Sequence, residues 1–265
     1  MTDPGRIDGA ARYYFDIHQG KKPLPPTPAE IGGAGLDEAY AIQEALQALL
    51  LAERGPIAGY KIALTTPVMQ ALMGVDQPVA GAIFANTVHR SPAALRHGDY
   101  QRIAVECEIA VRLGADLPPH GRPYGREDMA EAVEALMPSI ELIEDHGCDA
   151  YKEVGARGLA ANNAWNAGAV LGPALTSWRG LDLEAIAGSM AINEIEIGSG
   201  HGRDVMGHPF NALAWLANTL IARDRPLRRG MIVLTGSVVS TKWPQAGDTV
   251  TVRFAGLGEA SARFA

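Results

Sequence analysis

Three glutamates and one lysine carry the types and spacing that could do chemistry. Glu106 and Glu108 stand two apart in RIAVECEIAVRL, residues 102–113. There Ile103, Val105, Cys107, Ile109, Val111 and Leu113 alternate with Arg102, Ala104, Glu106, Glu108, Ala110 and Arg112. This is the period of a β-strand with one face in a core. Both glutamates then point the same way, with Cα atoms about 6.5–7 Å apart. Like charges so placed repel, and burial raises at least one pKa unless a cation offsets them. Ala104 and Ala110 on the same face favour a shaped cleft; a solvated strand face is the alternative. Glu141 sits between Ile140 and Leu142 in SIELIEDHG, and an acid inside such an apolar run needs a partner. Three carboxylates with waters suit an octahedral magnesium or manganese ion. Lys61 lies inside the apolar run IAGYKIAL, where lysine is rarely buried unpaired. A snorkelling edge residue is its alternative.

The elements that must position these groups read as follows. Residues 5–19 form a first helix, and a second runs from about 36 to 53 with Ile42, Leu46, Leu49 and Leu50 as its apolar stripe and Asp37 as its cap. Between them KKPLPPTPAEIGGAG is a loop. Residues 1–55 are taken as a helical N-terminal subdomain and 56–265 as the catalytic part. After the Lys61 strand, Thr66 caps a helix with Pro67 in its first turn. Asp76 follows in a loop before the strand ending at Phe84, where turn chemistry is the simpler reading. EDMAEAVEALM reads as a helix ended by Pro138, followed by the Glu141 strand. Asn162 and Asn163 bind substrate or form an Asx turn. Residues 183–208 give a helix turn and a hairpin, with His201 and His208 structural, and PFNALAWLANTLIARD is a helix. The remaining chain is strands with turns at Gly236, Gly247 and Gly256–Gly258.

The chain has 265 residues, 47% hydrophobic and 20% charged, with a formal net charge of -7. That suits a folded domain with a sizeable core and disfavours nucleic-acid or anionic-membrane partners. Cys107 and Cys148 are the only cysteines, which excludes a disulfide scaffold or thiolate zinc site and fits a reducing cytoplasm. No signal peptide or membrane span is read from the sequence. The glycines around Gly198–Gly202 lack a strand–turn–helix context for a dinucleotide site. No GxSxG elbow is present, so Ser237 and Ser240 are poor nucleophiles.

The order of these pieces resembles the fumarylacetoacetase superfamily, and within it the 2-keto-4-pentenoate hydratase branch. The resemblance rests on GYKIALT (59–65), GVDQPVAGAIF (74–84), VECEIAV (105–111), PSIELIE (138–144), ANNAWNAGAVLG (161–172), VMGHPFNALAWLAN (205–218) and VLTGSVVSTKWPQAGD (233–248). It implies an α/β fold: a mixed, strongly bent β core with a helical N-terminal subdomain. It also implies a cytoplasmic homo-oligomer, and magnesium or manganese on Glu106, Glu108 and Glu141. The substrate would be a small 2-oxo acid chelating that metal. Lys61 would lie near its oxygens, Asp76 would transfer protons, and Asn163 and Ser237 would contact substrate. The implied reaction is addition of water to a 2-hydroxy-2,4-dienoate in aromatic catabolism. A decarboxylase of the 4-oxalocrotonate type, a carbon–carbon hydrolase and a silent binding protein are the alternatives. Two departures bear on substrate: Asn162 stands where many members have aspartate, and Trp165-Asn166 replaces smaller residues.

Overall fold

The computed structural model describes residues 4–20, 35–148 and 151–265, with only the backbone of 151–153. The expected Pro/Gly loop therefore lies, apart from its last residue, outside the described residues. Two helices open the chain, α1 (Pro4–His18) and α2 (Leu36–Arg54). Gly35, not Asp37, is the N-cap of α2, and no side chain caps it. Asp37 sits instead in the first turn, where a carboxylate favours the positive end of the helix dipole. Tyr14, Ile17, Ile42, Leu46 and Leu50 are fully buried in the same apolar cluster as the strands that follow.

Next come β1 (Ile57–Ala63), α3 (Pro67–Leu72), β2 (Val79–Phe84), β3 (Val88–Arg90), β4 (Ala93–Leu95) and β5 (Ile103–Leu113). The Thr66 hydroxyl caps α3 by accepting from Met69 N–H at 3.3 Å, as expected. Then follow α4 (Arg126–Ala132), β6 (Val133–Glu144), α5 (Tyr151–Ala161) and β7 (Asn166–Leu171). The chain closes with β8 (Ala187–Ile192), β9 (Ile195–His201), α6 (Pro209–Ile221), β10 (Ile232–Lys242), β11 (Thr249–Phe254) and β12 (Gly258–Phe264).

One sheet runs β2-β1-β10-β5-β6-β7-β3, mixed in direction: β1/β10 and β3/β7 are parallel, the other pairs antiparallel. Its far members β2 and β7 also approach each other, so the sheet is strongly bent. The second sheet runs β4-β12-β11-β8-β9, and β11 and β12 pack against β6. Both faces of β5 are thereby covered. Ala104, Glu108 and Ala110 are no more exposed than Ile109, which removes the reading of a solvated strand face.

Two expectations are corrected. The helix expected to reach Pro138 ends at Ala132, and β6 runs straight through the proline. The Pro138 carbonyl accepts from Gly172 N–H at 2.9 Å, just past the end of β7. Its missing N–H therefore falls where that ladder stops, a tolerated place for proline. The turn expected at Gly236 is instead an irregularity inside β10, whose register against β5 shifts between Leu234 and Ser237 and twice more before Lys242. Bulges of this kind re-aim strand groups beside active sites.

Candidate metal centre and cavity

The register of β5 on β6 sets Glu106 directly opposite Glu141, and Glu108 opposite Ser139. Like charges facing each other across a ladder destabilise it, and here Glu108 and Glu141 are fully buried. The three glutamates each offer a carboxylate oxygen within 4.8 Å of the others. The structure thus brings together the three residues that the sequence singles out.

In each carboxylate, one oxygen is anchored. Gly236 N–H donates to Glu108 Oε2 at 2.7 Å. Lys61 Nζ lies 3.1 Å from Glu141 Oε1, which also accepts from Asn166 Nδ2 at 3.2 Å. The Thr241 hydroxyl donates to Glu106 Oε1. The second oxygens of the buried pair, Glu108 Oε1 and Glu141 Oε2, have no hydrogen-bond partner. Buried, orphaned carboxylate oxygens converging on one point are what a hard cation would satisfy. Lys61 offsets one of the three negative charges, and a divalent ion would offset the other two. The donor set therefore fits magnesium or manganese.

The electrostatics agree. Burial, then Glu141 and Glu106, push the Glu108 carboxyl well above the usual range. Burial pushes Glu141 up to about 7 against the opposing pull of Lys61 and Asn166. For Lys61 burial alone would lower the pKa, but Glu141, Glu106 and Glu108 outweigh it and raise the ammonium above its ordinary value. Each acid of the buried pair favours its neutral form and the lysine its charged form, so the cluster is short of positive charge.

Lys61 is 2% exposed and is no snorkelling edge residue. Its Nζ also donates to Ala164 O at 3.2 Å. That carbonyl is presented by an unusual turn: Asn163, Ala164 and Trp165 all have left-handed φ, at 51°, 49° and 56°. Asn163 holds the turn. Its Oδ1 accepts from Ala82 N–H at 2.7 Å and Gln47 Nε2 at 3.1 Å, and its Nδ2 donates to Ala82 O at 2.9 Å. The turn sits so close to β2 that a Cβ on Gly81 would fall 2.3 Å from the Asn163 carbonyl oxygen.

A cavity of about 870 Å³ is lined by Lys61, Glu106 and Ser237 together with Leu64, Met73, Leu159 and Trp165. Ser237 Oγ accepts from Cys107 N–H at 3.0 Å and donates to Val239 O at 2.6 Å, tying the irregular part of β10 to β5. Asn163 does not line the cavity, and its side chain serves the turn just described. Asp76 is exposed on the loop between α3 and β2 and does not line the cavity either. His208 caps α6, its Nδ1 accepting from Phe210 N–H at 3.0 Å, a structural role as expected.

Sequence reasoning missed Asn166, Thr241 and Gly236, which aim the three carboxylates. The available signal was polar or flexible residues at the ends or interior of apolar strands, NAGAVL and VLTGSVVST. At Gly236 the φ is +121° and a Cβ would meet Thr65 Cγ2 at 2.6 Å, so glycine alone fits.

Asn163→Ala is expected to cost about 2–4 kcal/mol, since it strands Ala82 N–H and Gln47 in a buried place. Urea unfolding checks this. Unchanged stability with only a raised KM would instead make Asn163 a substrate contact.

Comparison with known proteins gives the family. The family model described as fumarylacetoacetate (FAA) hydrolase C-terminal matches residues 72–265. The chain is 34% identical over 244 residues to 2-keto-4-pentenoate hydratase 2 of Dechloromonas aromatica (strain RCB), covering 92% of each. It is 32% identical over 263 residues to the TodF product hydratase of Pseudomonas putida, covering 98% of this chain and 96% of that one. A solved structure of 4-oxalocrotonate decarboxylase from Pseudomonas putida G7, complexed with magnesium and adipate, superposes with a TM-score of 0.90 at 24% identity, covering 100% and 99% of the two chains. That likeness shows the fold. The chain belongs to the fumarylacetoacetate hydrolase family, in the branch of the 2-keto-4-pentenoate hydratases.

Proposed function

We propose that the protein is a divalent-metal-dependent hydro-lyase that adds water to a 2-hydroxy-2,4-dienoate, through its 2-oxo-4-enoate form, to give a 4-hydroxy-2-oxo acid in the breakdown of aromatic compounds. The observation that carries this reading is the pair of unpartnered oxygens on Glu108 and Glu141 beside Glu106 and the Lys61 ammonium. Glu106, Glu108 and Glu141 would hold magnesium or manganese. Bound there, the ion supplies Lewis-acid stabilisation of negative charge on the 2-oxo acid.

The chain's own residues do the rest. An ammonium has three N–H donors. Glu141 and the Ala164 carbonyl take two of those of Lys61, which leaves the third for a substrate oxygen as negative charge develops on it. Gly236, Asn166 and Thr241 keep the carboxylates aimed and pre-ordered. Ser237 lines the same cavity, and a substrate contact there would have to share its hydroxyl with Cys107 N–H and Val239 O. A proton-transfer role for Asp76 requires the loop between α3 and β2 to close toward the cavity, where Met73 at the end of α3 already stands. The reading extends to a cytoplasmic homo-oligomer. Its two cysteines are buried, and none of the described helices is long and apolar enough to cross a membrane.

Decarboxylation of a dicarboxylic 2-oxo acid would be favoured by a further cation facing the cavity, and Arg102 is the guanidinium in its wall. Its guanidinium is already engaged by Asp145 at 2.7 and 2.9 Å and by Cys148 O at 2.8 Å, so hydration is the better reading.

The test is purified protein mixed with 2-hydroxypenta-2,4-dienoate, with magnesium or manganese and again with excess EDTA. The expected outcome is metal-dependent loss of dienol absorbance and a product heavier by one water. A product lighter by carbon dioxide from 4-oxalocrotonate, with no hydration of the dienoate, would overturn it.

A further inference from the structure

The cavity is far larger than a five-carbon acid needs. Its volume of about 870 Å³ lies near the top of the range for sites that hold drug-sized ligands. Its lining is also divided. Of the exposed lining residues, Gln101, Ser240 and Gln245 are polar and Trp243, half exposed, is aromatic. The buried apolar lining residues include Leu64, Met73, Ile143, Leu159 and Trp165. Buried polar residues in the lining have other duties: Lys61 stands on Glu141, Thr65 packs on Gly236, and Asp145 neutralises Arg102. Among the described residues the cavity therefore offers no uncompensated guanidinium or ammonium for a second carboxylate away from the carboxylate end. It offers apolar surface instead, interrupted at Trp165 by an indole N–H that has no hydrogen-bond partner.

Trp165 is the residue that links this wall to the chemistry. Its neighbours on either side are tied to the site, Ala164 O to Lys61 and Asn166 to Glu141. Trp165 itself has a left-handed backbone, is 9% exposed and lines the cavity. Met69 and Met73 line the cavity too, and thioether side chains adapt to tails of different shape.

Resting on the function proposed above, we infer that this site takes a monocarboxylic 2-oxo acid with an apolar alkyl or aryl tail reaching beyond the fifth carbon, and that Trp165 is the residue that sets this preference.

The test measures binding, not turnover. The manganese-loaded protein is titrated calorimetrically with 2-oxopentanoate, 2-oxooctanoate and 2-oxoadipate. 2-Oxooctanoate is expected to bind at least about tenfold tighter than 2-oxopentanoate, as burial of three further methylenes allows, and 2-oxoadipate no tighter than 2-oxopentanoate. Trp165→Ala should remove most of the octanoate advantage while changing 2-oxopentanoate affinity less than about threefold, and Met73→Ala should reduce the advantage in the same direction. Equal binding of the two monoacids, tighter binding of 2-oxoadipate, or an advantage untouched in Trp165→Ala would each overturn the inference while the 2-oxo acid site stands. Failure of all three acids to bind would bring down the proposed function and this inference together. The wild-type series decides the preference even if a variant folds poorly.

Discussion

Lys61→Met is expected to lower turnover by about 10²–10³-fold, the cost of losing one pre-set donor to developing negative charge, without weakening divalent-metal binding. The two effects separate because Lys61 and the metal would compete for the same electron density. Nζ lies 3.1 Å from Glu141 Oε1, while Glu141 Oε2 has no hydrogen-bond partner and would be the oxygen offered to the ion. Removing a positive charge beside a cation site relieves repulsion, so metal affinity should stay level or rise. Methionine retains most of the buried stem's volume, which limits the packing cost. Turnover and manganese titration on the same preparation check this. Parallel loss of metal and activity would make Lys61 a support of the metal site and remove its assigned part in the reaction.

Glu108→Gln should do the opposite to metal and, in the metal-free protein, something less obvious to stability. It removes a ligand, so divalent affinity should fall by at least about 100-fold, beyond what loss of a supporting contact costs. Without metal, the wild-type fold holds three carboxylate oxygens within 4.8 Å of one another with one lysine among them. The Glu108 carboxyl is pushed well above its ordinary range by burial and by its two neighbours. A carboxyl whose folded pKa exceeds its unfolded one subtracts stability as pH rises above the unfolded value. At pH 7 the uncharged amide escapes that penalty and can still accept from Gly236 N–H. Metal-free Glu108→Gln is therefore expected to unfold at a urea concentration no lower than wild type, and higher at pH 8 than at pH 5 relative to wild type. The stabilisation that added manganese gives the wild type should be lost. A large destabilisation of the metal-free variant would show that the carboxylates are not in conflict there.

The cluster of three glutamates was legible in the sequence because a strand's period of two is strict. Glu106 and Glu108 had to share a face, and Glu141 in its own apolar run had to find a partner. Lys61 was legible for the same reason, a charge where burial forbids an unpaired one. What aims them was hidden. Gly236 reaches Glu108 only because β10 slips register against β5, and no local pattern encodes such slips. Asn166 looks like an ordinary strand end until β7 is laid on β6. Asn163 stood out as unusual, and its side chain secures a left-handed turn against β2. Pro138 misled because residues 127–137 satisfy a helical pattern as well as an extended one, and only the end of β7 makes room for a proline in the strand. The N-terminal helices were placed by their apolar stripes, but Gly35 leaves the start of α2 with no capping side chain to signal it.

The central claim, one divalent ion held by Glu106, Glu108 and Glu141 and shared with a 2-oxo acid, is tested most directly by anomalous diffraction from crystals of the protein grown with manganese and 2-oxopentanoate. The account predicts a single strong manganese peak between the three carboxylates, with the carboxylate and 2-oxo group of the ligand at that peak and Lys61 beside them. A peak elsewhere, or a 2-oxo acid bound away from the three glutamates, would contradict it.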